Sequence, residues 1–137
     1  MDSIDNRLQN QLSAANVTQM EWEADRRARI RFRLEDGRFQ TVYIESKPHT
    51  VGRYENRDVW SVCGPLGPDA QATRWLEKNA FMRFGKFGVL KRGGRFELIF
   101  KADVRADADP EELLQHLYEV AATADQAEME LSVHDKF

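Results

Sequence analysis

The chain has 137 residues, of which 42% are hydrophobic and 31% charged, with a net charge of -3. That is one domain's worth of ordinary globular composition, long enough to bury a sizeable core, and the mild acidity excludes a global attraction to nucleic acid or anionic membranes. Cys63 is the only cysteine, which excludes an intramolecular disulfide and a cysteine-cluster metal site.

In chain order, Ser3 or Asp5 can cap a first helix whose apolar stripe is Ile4, Leu8 and Leu12. The start of the chain is polar, without an apolar leader core, and no run approaches a membrane span, so a cytoplasmic protein is expected. The period then changes to two. Met20, Trp22 and Ala24 alternate with polar residues, as do Ala28, Ile30, Phe32 and Leu34, so both runs are predicted strands. A three-residue turn at Asp25-Arg26-Arg27 would pair Trp22 with Ile30 and Met20 with Phe32. Asp36-Gly37 signals a two-residue hairpin pairing Leu34 with Phe39, Phe32 with Thr41 and Ile30 with Tyr43. A loop is expected over Ser46 to Asn56, then a short strand in RDVWSVC that stops at GPLGP.

Pro68 and Asp69 open a second helix in which Ala72, Trp75, Leu76 and Asn79 share a face. Two strands follow in FGKFGVLKRGGRFELIF. The glycines there do not precede a helix, Lys86 is followed by Phe87 rather than Ser or Thr, and no glycine lies five residues before Gly85. A phosphate-binding loop therefore fits poorly. A turn at Gly93-Gly94 fits better, placing Lys91 opposite Phe96, Val89 opposite Leu98 and Phe87 opposite Phe100. Gly88 would then face Ile99 and leave room for an approaching group. The last helix starts at Asp109 as N-cap, Pro110 at N1 and Glu112 at N3, with Leu113, Leu117, Val120, Ala121 and Ala124 as its stripe. The predicted class is α+β, in the order α-β-β-β(-β)-α-β-β-α over residues 1–137 as one domain. Phe87, Phe96, Leu98, Phe100, Leu117 and Val120 are expected core.

Catalytic motifs do not emerge. His49, His116 and His134 are far apart in sequence and lack metal-ligand spacing, Cys63 sits in an apolar stretch, and DADADP lacks the further ligand positions of a calcium loop. No catalytic residue, cofactor or metal is expected. RRARIRFR carries five arginines in eight residues. It can be read as a nucleic-acid or acid-binding strand. It fits better as a solvated ladder with Glu23 beside Arg29 and Glu21 beside Arg31, since no aromatic residues interleave with the arginines in the expected register. That register also puts Val42 and Ile44 on the face of Arg29, Arg31 and Arg33. Apolar residues among arginines suit either a partner-protein surface or a face covered by a helix.

The stretch GPLGP ahead of a helix, followed by LEKNAFMRFGKFGVLKRGGRFELIFKADV and the terminal helix, resembles the type III secretion chaperone-like fold, and most closely its YbjN-like branch. Asn79, Phe84-Gly85, Phe87-Gly88 and the hairpin glycines carry the resemblance, which spans roughly Ile30 to Asp125. It implies an antiparallel sheet with three helices, a cytoplasmic homodimer, and a non-enzymatic role. In the secretion chaperones that role is holding an extended segment of a partner protein; YbjN-like members are described as sensory-transduction regulators. The ESKPHTVGRYENR loop and the arginine run depart from the secretion chaperones. Trp75, Leu76, Phe81 and Met82 are more apolar than a short helix and its exit need, so they are the expected dimer interface.

Overall fold

The computed structural model describes residues 5–67 and 69–134. Ser3, Ile4 and Pro68 lie outside them. Three helices, α1 (Asn6–Ala14), α2 (Asp69–Lys78) and α3 (Pro110–His134), accompany seven strands: β1 (Met20–Glu23), β2 (Arg27–Arg33), β3 (Phe39–Glu45), β4 (His49–Val51), β5 (Tyr54–Pro65), β6 (Lys86–Arg92) and β7 (Arg95–Arg105). The strands form one antiparallel sheet in the order β1-β2-β3-β5-β7-β6, with β4 pairing the start of β5. This is the expected α+β order, with β4 added inside the predicted loop. No described helix is long and apolar enough to cross a membrane.

The helices pack on one face of the sheet. Asp5 caps α1 by accepting from the Arg7 N–H (2.8 Å), and Leu8 and Leu12 are buried. Asp109 caps α3 by accepting from the Glu112 N–H (2.8 Å). The α3 stripe Leu113, Leu117, Val120, Ala121 and Ala124 is buried against Ile30, Val42, Val59 and Phe100. The alanines let helix and sheet approach closely, and each large apolar side chain so buried stabilises by about 1.5–3 kcal/mol.

One loop residue changes the β2–β3 register. The Leu34 N–H donates to Arg38 C=O (2.8 Å) and the Gly37 N–H donates to Leu34 C=O (2.9 Å), with Gly37 at φ +83°. The loop is therefore the three residues Glu35-Asp36-Gly37, a tight turn closed by a left-handed glycine, rather than two. Arg33 pairs with Phe39, Ile30 with Val42 and Ala28 with Ile44. An odd shift sends every side chain of β3 to the opposite face. Val42 and Ile44, expected beside the arginines, are fully buried under α3. The β1–β2 turn is also displaced. Its loop is Ala24-Asp25-Arg26, with left-handed backbone at Ala24 (φ +47°) and Asp25 (φ +60°), and it pairs Trp22 with Ala28 and Met20 with Ile30. That two-residue slip leaves the faces unchanged.

The β6–β7 hairpin has the expected register, with Gly93 and Gly94 both at positive φ (+57° and +79°). Phe87, Leu98 and Phe100 are buried, but Phe96 is 52% exposed and Val89 45%, because this hairpin reaches past the helices. Phe96 is thus not core. Gly88 needs no special room, since a Cβ there would stand an ordinary 3.8 Å from Ile99. Gly85 is the constrained glycine: its φ is +77°, and a Cβ would lie 2.4 Å from the Phe100 ring.

Candidate functional site

The open face of the sheet, bare of any described helix, is built by period two. Successive registers place Glu21, Arg29, Tyr43, Trp60 and Lys101 in one row across five strands. Tyr43 and Trp60 stack at 4.3 Å between centroids, and the Arg31 guanidinium lies 3.8 Å over the Phe39 ring. Aromatic residues therefore do share the arginine face, contrary to the sequence expectation, because the register shift brought Phe39 and Tyr43 there beside Trp60 of β5. The charge ladder is present two residues along from its expected position. Arg29 pairs with Glu21 and with Glu23 (3.4 Å). Arg27 lies 2.9 Å from Glu45, which also accepts from the Trp60 indole N–H (3.3 Å). Arg33 stands exposed at the end of β2. Such exposed pairs contribute about 0–1 kcal/mol each but neutralise much of the cluster.

A second surface lies at the outer edge of β6, which pairs with β7 on one side only. The Asn79 side chain clamps the start of this edge: its amide donates to Phe87 C=O (3.0 Å) and its carbonyl accepts from the Phe87 N–H (2.8 Å). Phe87 therefore directs its backbone groups away from β7, and by alternation so do Val89 and Lys91. No other described residue bonds to those two pairs of groups. Val89 and Phe96 are exposed diagonal neighbours on the helix side of this edge. Of the residues expected to form a dimer interface, Leu76 (55% exposed) and Phe81 (87%) are on the surface and Met82 is half-buried. Trp75 is not available: it is 2% exposed and packs edge-on to Phe87 at 4.9 Å between centroids.

The third feature was hidden in the sequence. His49 on β4, Asp58 on β5 and Asp103 on β7 converge at one end of the open face. The His49 ring nitrogens lie 3.8 Å from Asp58 and 3.7 Å from Asp103, and Lys101 lies 3.4 Å from Asp58. Burial, then hydrogen bonding and charge repulsion from Asp58, push the Asp103 carboxyl above its ordinary pKa, against the pull of His49 and Lys101. Forty-five residues separate Asp58 from Asp103, so only the β5–β7 register reveals them as direct partners. His116 stacks on Phe84 at 5.0 Å instead, and the side chain of His134 lies outside the described residues.

Elsewhere the buried polar groups are structural. Arg57 is 1% exposed, donating to Ser46 C=O and to Asp5 (2.6 Å), which ties the α1 cap to the sheet. Burial raises the Asp5 carboxyl, but hydrogen bonds from Arg57 and the Arg7 N–H, with both guanidinium charges, outweigh it and leave the pKa lowered. Burial, with the Glu128 charge, pushes the Cys63 thiol up to about 12, so it is an inert packing residue at neutral pH. No protein-family model matches this chain, and no curated protein does.

Proposed function

We propose that this protein is a non-enzymatic, cytoplasmic binding module that holds an extended segment of a partner protein by strand addition, in the manner of the type III secretion chaperone-like family it resembles. The observation that carries this reading is the half-open edge of β6. Asn79 blocks one end, while Val89 and Lys91 present free backbone donors and acceptors beside the exposed Val89 and Phe96 side chains. An added strand would draw affinity from its main chain and specificity from alternate side chains: apolar residues for Val89 and Phe96, a carboxylate for Lys91.

The same edge is a poor site for symmetric self-pairing. Antiparallel pairing centred on Val89 would set Lys86 against Arg92 of a second copy, and the clamp at Phe87 blocks the ladder. Homodimerisation would fall instead to Leu76, Phe81 and Met82. Light scattering should then report twice the 15.9 kDa chain mass at tens of micromolar; a monomer there would remove the dimer.

The edge itself is tested by Val89→Pro and Phe96→Asp. Proline at 89 removes an N–H that faces away from β7, so the fold should survive. Proteins retained from the native cell by the wild-type chain should be lost by both variants. Retention unchanged in both would overturn the proposal. A regulatory or nucleic-acid-associated role for the arginine strand has the aromatic row of Phe39, Tyr43 and Trp60 in its favour and the neutralising glutamates against it. It predicts binding that falls steeply with salt, which strand addition does not.

A further inference from the structure

We propose that His49, Asp58 and Asp103 form a binding site for a divalent transition-metal cation of the zinc class, independent of the β6 edge. Three adjacent strands supply one donor each, and one donor atom from every side chain falls within 4.8 Å of the other two. Asp58 and Asp103 are direct cross-strand partners, an arrangement that costs stability when both are charged unless a cation stands between them. Lys101 stands 3.4 Å from Asp58 and acts on Asp103 only from further away, so the nearest basic group to Asp103 is the His49 ring at 3.7 Å.

The two ring nitrogens face different carboxylates, Nδ1 at 3.8 Å from Asp58 and Nε2 at 3.7 Å from Asp103, beyond hydrogen-bond reach of either. One ion takes one of the two nitrogens. Donors around a tetrahedral zinc at about 2.1 Å stand roughly 3.4 Å apart, so three ligand atoms already within 4.8 Å of one another close on an ion by rotation of the ring and the carboxylates. One imidazole and two carboxylates, without a thiolate, suit zinc or a neighbouring first-row metal, and offer too few oxygens for calcium. Glu45, Ser46, Lys47 and Pro48 line the same cleft, which leaves the remaining coordination positions to water or a small ligand. A bound ion would pin the β4 hairpin to β7.

The test is calorimetric titration of the full chain with zinc chloride at pH 7.5, with thermal melts alongside. Wild type should bind one equivalent saturably and melt several degrees higher. Asp103→Asn and His49→Gln should each weaken binding at least tenfold, while His116→Gln, altering the histidine beside Glu112, should leave it unchanged. Metal-free Asp103→Asn supplies the control for folding. The amide should melt no lower than wild type at pH 7.5, because it relieves the repulsion between directly opposed carboxylates. No saturable zinc binding by wild type, or binding undiminished in Asp103→Asn, overturns the site. So does loss confined to His116→Gln.

Discussion

The hairpins β2–β3 and β6–β7 both turn on glycine and both carry β-branched residues two apart from aromatic ones, yet their apolar residues meet opposite fates. In the first, Val42 and Ile44 of β3 are sealed under α3 with no exposed surface; in the second, Val89 and Phe96 stand half in solvent. Hydrophobicity does not separate the two. The first hairpin lies in the middle of the sheet and passes beneath a 25-residue helix, whereas the second forms an edge that outruns the ten-residue α2. Position under a helix decides burial, and loop length decides which face is offered to it.

The sharpest way to break this comparison is a charge on each hairpin. Ile44→Asp buries an unpaired carboxylate and deletes packing against the core, and should cost about 4 kcal/mol or more, enough to unfold a typical domain near its midpoint temperature. Val89→Asp, on an exposed face, should stay within about 0.5 kcal/mol of wild type. Urea titration of the pair measures both; a stable Ile44→Asp would mean that β3 presents its other face to α3. Phenylalanine truncation sharpens the contrast within β7. Phe100→Ala should lose about 3–5 kcal/mol, since its ring meets Phe87 at 5.2 Å and abuts Gly85, while Phe96→Ala should lose less than about 1 kcal/mol. Equal shifts in denaturation midpoint would show that Phe96 is covered after all.

A smaller effect than either core substitution belongs to the turns. A Cβ at Gly37 or Gly93 would meet nothing within 4 Å, so Ala at either position should cost only the left-handed backbone, about 1–2 kcal/mol by thermal melt. A loss well above that at Gly37 alone would indicate that the three-residue loop, and with it the β3 register, is under further constraint.

The α+β class, the order of elements apart from β4, the cap at Asp109, the α3 stripe and the β6–β7 register were all legible from the chain, and the α1 cap was narrowed to Ser3 or Asp5. Each depends on contacts close in sequence: 3.6-residue and two-residue periods, a side chain accepting from a nearby backbone N–H, and two glycines whose φ angles admit a two-residue turn. The β2–β3 register was not legible, since Asp-Gly serves two-residue and three-residue loops alike and the choice rests on which face of β3 α3 can bury. The sequence also suggested Phe96 and Trp75 for the wrong roles, because their exposure depends on how far α2 extends over the hairpin. The juxtaposition of His49, Asp58 and Asp103 belongs wholly to the tertiary level. Strands β4 and β5 form one hairpin, but β7 lies far along the chain, and only its pairing with β5 brings the second carboxylate to the imidazole and the first.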